Sequence, residues 1–182
     1  MIRIVDIMRE VAEQTSETYI KKYNPKSPPV KFFPDNYVVV GNELNKRGQS
    51  HAAMKEKYPA ILLFTDNIVR RKAKPLKQWK LEVMFPIILI VADAVAGKSD
   101  IKRERVYYPV LETIERCFYD AIEQHPQIYT KDKFAPEPEA SDKYDLVAIL
   151  GKHKIFTDKL DGIEIKNLRL MFRDKNCLTL KK

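Results

Sequence analysis

The stretch "WKLEVMFPIILIVAD" (residues 79–93) limits most strongly how this chain can fold. Its apolar run from Val83 to Ala92 is about half of the roughly 20 residues needed to cross a bilayer, so a soluble protein is expected. Because the stretch is rich in β-branched and aromatic residues, it is predicted to be a strand. Pro86 cannot donate a ladder hydrogen bond and therefore predicts a bulge or an edge.

Three more segments have strand-like composition. The stretch "YPAILLFTD" (residues 58–66) predicts an antiparallel neighbour of the long strand, joined to it by a basic connection, and "YVVVG" (37–41) predicts a short strand. The closing stretch "FTDKLDGIEIKNLRLMF" (156–172) predicts a turn at Asp161-Gly162 followed by alternating residues. Its alternation changes phase near Asn167, which a β-bulge would explain.

Two segments have helical periodicity. Residues 2–23 repeat apolar side chains at helical spacing and are followed by Asn24-Pro25, so they predict an amphipathic helix. A second helix is predicted to end at His125-Pro126, and its apolar stripe comprises Val110, Leu111, Ile114, Cys117, Phe118, Ala121 and Ile122. Cys117 is therefore interpreted as a core residue rather than a reactive thiol.

The order of these elements predicts an α+β fold with a mostly antiparallel sheet flanked by two main helices. With 182 residues, of which 45% are hydrophobic, the chain is predicted to form a single domain over residues 1–182. Proline content and polarity predict exposed loops at about 24–36, 67–78 and 130–144.

Composition bears on partners and cofactors. The formal net charge of +8 favours a negatively charged partner. Two cysteines cannot frame a disulfide scaffold, and the three histidines lie far apart without metal-ligand spacing. We therefore expect synthesis in a reducing cytoplasm and neither a metal nor another cofactor.

A loose phosphate-binding pattern occurs in "ADAVAGKSD" (residues 92–100). A phosphate loop needs several glycines so that backbone N–H groups can surround the anion. Here Gly97 is the only glycine, and Asp93 adds a negative charge. Nucleotide hydrolysis is therefore the least favoured function, and we expect a turn in which Ser99 or Asp100 caps the next helix.

A metal-dependent nuclease is also disfavoured. Asp66 at the end of one strand and Glu82 in the next could hold a metal ion, but Met84 occupies the place of the usual lysine. An exposed cross-strand charge pair explains Glu82 more simply. With no recognisable nucleophile motif beside a base, the sequence predicts that the protein is not an enzyme.

A cluster of basic residues lies between Asp66 and Glu82. No acidic residue interrupts it, and it comprises Arg70, Arg71, Lys72, Lys74, Lys77 and Lys80. Phosphate attraction does not depend on sequence, so this cluster suits a surface that holds DNA without reading it. A solvated hairpin tip or a salt-bridged subunit contact would explain it equally well.

The order of elements over about residues 2–173 resembles that of the neck and tail-terminator (tail-completion) proteins of tailed bacteriophages. The most specific matching pieces are Tyr58-Pro59 at a strand start and a pattern near the end of the chain. That pattern comprises Asp158, Leu160, Asp161, Ile163, Ile165, Asn167 and Leu168.

The resemblance implies a closed ring, expected to be a hexamer or a dodecamer, at the head–tail junction of a virion assembled in the bacterial host cytoplasm. It implies contacts with a portal, connector or tail protein, viral double-stranded DNA in the lumen, and no membrane. The basic cluster would line the channel, and the closing pattern from Asp158 to Leu168 would lie at the subunit interface. The alternative is a non-catalytic nucleic-acid-binding module, for which Trp79 within the basic cluster gives slight support.

Overall fold

The computed structural model describes residues 3–46, 51–66, 68–72, 80–93, 98–129, 138–146, 149–150, 153–154 and 160–173. The helices are α1 (Ile4–Lys22), α2 (Tyr37–Lys46), α3 (His51–Lys57), α4 (Ser99–Lys102), a π-helical segment (Arg103–Leu111) and α5 (Glu112–Gln124). The strands are β1 (Lys31–Asp35), β2 (Ala60–Phe64), β3 (Val69–Lys72), β4 (Lys80–Asp93), β5 (Ile128–Tyr129), β6 (Glu139–Leu146), β7 (Ile149–Leu150), β8 (His153–Lys154) and β9 (Leu160–Arg173).

Seven strands form one sheet built around β4 and β9. The order is β1-β2-β4-β9-β5, with β3 beside β4 and β6 beside β9, while β7 and β8 form a separate pair. The β1–β2 pair is parallel and the other pairs are antiparallel. The predicted α+β fold with a mostly antiparallel sheet is confirmed, as is the antiparallel pairing of β2 with β4.

Strands β4 and β9 pair from Lys80–Arg173 to Asp93–Leu160 without a shift in register. Even so, the buried side of both strands changes between the pairs Phe85–Leu168 and Ile87–Lys166. Pro86 and Asn167 occupy this position, and Asn167 has φ 56°, a left-handed conformation that asparagine tolerates better than most residues. The predicted phase change near Asn167 is therefore confirmed, but the predicted bulge is wrong, because neither strand gains a residue relative to the other.

Each face of the sheet carries a hydrophobic core. On one face α1, the π-helical segment and α5 pack over Phe85, Ile165 and Phe172. On the other face α2 and α3 pack around Leu62, Leu89 and Val91. The predicted first helix and the apolar stripe of the second are confirmed, including burial of Cys117, and burial raises the pKa of its thiol.

The predicted strand at 37–41 is wrong, because this segment begins helix α2. Val40 and Leu44 are buried four residues apart, whereas Val38 and Val39 are exposed, so the burial follows a helical period. The Oδ1 atom of Asn36 accepts the N–H of Val39 at 3.0 Å, a typical helix cap. Capping and packing here override the preference of valine for strands.

The predicted loop at 24–36 is partly wrong, because Lys31–Asp35 forms β1 at the end of the sheet. Lys31 donates its N–H to the carbonyl of Pro59, and the carbonyl of Asp35 accepts the N–H of Thr65. Alternation therefore directs the backbone of Pro34 away from β2, where its missing N–H costs no ladder hydrogen bond.

Two more loop or turn expectations need correction. The predicted loop at 130–144 contains the first part of β6, which pairs with β9, while residues 130–137 lie outside the described part of the chain. The predicted exposed loop at 67–78 contains β3. The predicted turn at Asp161-Gly162 is instead internal to β9, since Asp161 pairs with Ala92 of β4.

A buried ion pair joins the helical layer to β9. Lys102 Nζ lies 3.1 Å from Asp161 Oδ1, and the two side chains are only 4% and 0% exposed. Lys102 ends α4, immediately before the π-helical segment that packs on the sheet. Burial of an ion pair is tolerated only when both charges remain partnered, so this contact fixes the position of the helix relative to β9.

Candidate nucleic-acid interface

The predicted basic cluster lies at one end of the sheet. Arg70, Arg71 and Lys72 belong to β3, and Lys80 begins β4, which pairs antiparallel with β3. Arg70 is exposed. Lys74 and Lys77 lie outside the described residues. The register brings the two described parts of the cluster to the same sheet end, so the residues from Arg70 to Lys80 are called the basic segment below.

Strand β9 adds two arginines that the sequence interpretation missed. Arg173 pairs with Lys80, and Arg169 pairs with Met84. Both arginines are partly exposed, and they alternate with the buried Leu168, Leu170 and Phe172. That alternation was the available signal, because residues two apart in a strand share a face.

The position of Arg173 is held by contacts with the segment around β5. Its guanidinium carbon lies 4.2 Å from the centroid of the Tyr129 ring, and its backbone N–H donates to the carbonyl of Gln127 at 2.8 Å. A cation over an aromatic face at this distance is attracted by the ring quadrupole. The arrangement places a cation beside a partly exposed aromatic side chain at the basic sheet end.

One half of the second sheet face is open. Its residues, called the open sheet face below, are Val69, Glu82, Met84, Arg169, Met171 and Arg173. All are partly or well exposed, and four of them, Val69, Glu82, Met84 and Arg169, line a shallow pocket. They lie outside the core that α2 and α3 cover. The open sheet face thus combines apolar side chains with two arginines.

The two carboxylates considered for a metal site have separate surroundings. Asp66 accepts the backbone N–H of Tyr37 at 2.8 Å, at the start of α2. Glu82 lies directly opposite Arg71 in the β3–β4 register. Within the described ranges, no group of three or more His, Cys, Asp or Glu residues could hold a metal ion.

The glycine-containing stretch leads into α4. Asp93 ends β4, Lys98 is the N-cap residue of α4, and residues 94–97 lie outside the described part. The predicted capping by Ser99 or Asp100 is wrong. Both residues already lie inside the helix, and no side-chain hydrogen bond caps it. Asp100 instead places a negative charge in the first turn, which the helix dipole favours.

The residues expected at a subunit interface are mostly internal. Asp161, Ile163, Ile165 and Leu168 are at most 2% exposed, and Asp158 lies outside the described residues. Strand β9 pairs with β4 along one side and with β5 and β6 along the other, so it is not an edge strand. The interface assignment of these four residues is therefore corrected to a core role, while Asn167 is exposed.

The helical layer presents the opposite charge. Its exposed acidic residues, called the acidic helix surface below, are Glu10, Glu13, Glu17, Asp120 and Glu123. The amide groups of Gln14 and Gln124 hydrogen-bond at 3.1 Å, which joins α1 and α5 within this surface. From residue 10 to residue 20 the only charged residues of α1 are acidic. The two faces of the domain therefore differ in sign.

Electrostatic repulsion is also present at the other end of α5. Burial, followed by the charges of Glu112 and Asp142, raises the pKa of Glu115 above its ordinary value of 4.5. A carboxyl group with a raised folded-state pKa favours folding below its unfolded pKa, and this contribution is lost as the pH rises through the folded pKa. At neutral pH the ionised Glu115 therefore destabilises the domain.

Glu115→Gln is accordingly expected to raise the Tm at pH 7, with the gain disappearing as the pH falls below the ordinary value of 4.5. Thermal unfolding followed by circular dichroism across this range would measure the effect. Glu123→Gln, at an exposed position of the same helix, is the matched control and should change the Tm little. An equal gain for both variants, or no pH dependence, would contradict the explanation.

Comparison with known proteins identified no relative. No protein-family model matches the chain, and no curated protein matches it. Within the described part of the chain, no helix is both long and apolar enough to cross a membrane.

Proposed function

We propose that this chain is a structural subunit of a ring at the head–tail junction of a tailed bacteriophage, with its basic segment directed at the DNA in the channel. The observation that carries the proposal is the convergence of the basic segment with Arg169 and Arg173 at one end of the sheet. The resemblance in the order of elements supplies the place in the virion.

The chemistry of the basic segment fits a DNA channel. Exposed arginine and lysine side chains attract phosphates regardless of base sequence, and the attraction weakens as salt rises. A channel that passes a whole genome requires contact of this kind, because tight base-specific contacts would hold one sequence in place. The acidic helix surface lies on the opposite side of the sheet and would face away from the DNA.

A nucleic-acid-binding module that acts as a monomer is the second candidate. The stacking of Arg173 on Tyr129 favours it, because aromatic rings beside cations are typical of single-strand binders. The two candidates predict different preferences. A channel subunit should bind duplex and single-stranded DNA through charge alone, whereas a stacking module should prefer single strands and lose that preference in Tyr129→Ala.

The proposal predicts where the chain lies in an intact particle. Cryo-electron microscopy of the virion should show density for this fold at the head–tail junction, in rotationally repeated copies around the DNA channel. Locating the chain as a single copy, in the capsid shell, or nowhere in the virion would overturn the proposal.

A further inference from the structure

The open sheet face has the composition of a protein-binding surface. The exposed face of an antiparallel sheet is usually polar, but this one carries Val69, Met84 and Met171 beside its arginines. Methionine and arginine are enriched at protein interfaces, where apolar contact and charge recognition are combined. Val69 alone is 38% exposed, so this apolar surface is not covered by the described residues.

The acidic helix surface supplies the complementary charge. Glu13 and Glu17 are exposed on successive turns of α1, and Asp120 and Glu123 are exposed on the neighbouring α5. The Gln14–Gln124 hydrogen bond and the 3.1 Å contact between Glu10 and His125 hold the two helices side by side. These acids therefore form one surface, on the opposite side of the sheet from Arg169.

We propose that the open sheet face of one copy docks onto the acidic helix surface of the next copy. The inference rests on the proposed ring, since a contact between two different surfaces of identical subunits is head-to-tail and closes a ring when the rotation permits. Arg169 would face the glutamates of α1, with Val69, Met84 and Met171 covered at the centre. Like charges disfavour the two self-pairings, sheet face on sheet face and helix surface on helix surface.

Protein fits the open sheet face better than DNA does. Phosphate-binding surfaces are strongly basic, whereas this one includes Glu82 and three apolar side chains. Arg70 pairs with Val83, whose side chain belongs to the opposite core, so alternation places Arg70 on the other side of the sheet from Met84. A neighbouring copy on the open sheet face therefore leaves Arg70 available to DNA.

Charge reversal tests this contact. Sedimentation velocity should show that the wild-type protein self-associates at low salt and dissociates at high salt, because its charge pairs are screened. Arg169→Glu and Glu13→Lys/Glu17→Lys should each remain monomeric alone. An equimolar mixture of the two variants should associate, because the reversed sheet face then matches the reversed helix surface. Glu56→Lys/Glu104→Lys reverses two exposed acids elsewhere and should associate like wild type.

Circular dichroism would verify that each variant is folded, and Arg169→Gln replaces Arg169→Glu if the reversed charge prevents folding. Wild-type protein that remains monomeric at about 1 mM and low salt would overturn the inference, as would variants that associate normally or a mixture that does not associate. The outcome is separable from the ring proposal. Charge-dependent association in a protein absent from the head–tail junction would reject the junction only, whereas a junction ring indifferent to these substitutions would reject the contact only.

Discussion

Replacing Asp161 by alanine is expected to lower the free energy of unfolding by about 3 to 5 kcal/mol. Asp161 is fully buried, and its carboxylate lies 3.1 Å from the ammonium group of Lys102, which is itself 4% exposed. Removing the carboxylate leaves a cation in a low-dielectric interior without its counter-charge, and this penalty exceeds the net contribution of the intact pair. Chemical denaturation of the variant and the wild-type protein would measure the difference.

Two further variants isolate the cause. Replacing both partners with apolar residues, Lys102→Met/Asp161→Leu, should recover most of the loss, because no unpaired charge remains in the core. Lys143→Ala removes an ion pair with Glu164 whose lysine is 39% exposed, and should cost about 1 kcal/mol or less. A loss in Asp161→Ala no larger than that in Lys143→Ala would show that the buried pair does not position the helix.

The elements predicted correctly from the sequence are those in which local composition and packing agree. Strands β2 and β4 are rich in β-branched residues and occupy the centre of the sheet, and the stripe through Ile114 and Phe118 has a clear helical period. In residues 37–41 the two signals conflict. Valines favour a strand, but the Asn36 cap and the burial of Val40 and Leu44 select a helix.

Other features depend on pairing partners, which a single sequence does not reveal. Asp161-Gly162 has the composition of a turn, yet β4 pairs with it on one side and β6 approaches on the other. The phase change in β9 is visible in the sequence, but its cause is the opposing Pro86 in β4. The apolar residues of β9 were assigned to an interface because the sequence does not show that helices and neighbouring strands already cover them.

The candidate site was predicted to the same extent. The basic segment is contiguous in sequence and could be recognised from its charge. Arg169 and Arg173 join it only through the β4–β9 register, about 90 residues further along the chain. The acidic helix surface likewise requires the packing of α1 against α5, two elements far apart in sequence.

Reversing three charges of the basic segment, Arg70→Glu/Arg71→Glu/Lys72→Glu, is expected to reduce affinity for duplex DNA by about two to three orders of magnitude at 0.1 M salt. Each phosphate contact releases condensed counterions, so losing three contacts should also lower the salt slope of the binding constant by about 2.7. The fold should persist, because Arg70 is exposed at the periphery of the sheet.

Lys21→Glu/Lys22→Glu/Lys26→Glu is the matched control. It changes the net charge equally, at three exposed lysines at and just beyond the C-terminal end of α1. If general charge attraction alone governed binding, both triple variants would weaken it to the same degree.

Titration of duplex DNA binding against salt, for the wild-type protein and these two triple variants, tests most directly whether the basic segment holds DNA. We expect binding that is indifferent to base sequence and steeply salt-dependent in the wild type, nearly unchanged in the Lys21/Lys22/Lys26 control, and lost with a reduced slope in the Arg70/Arg71/Lys72 variant. Equal affinities and equal slopes in all three proteins would contradict the assignment of the basic segment to a DNA channel.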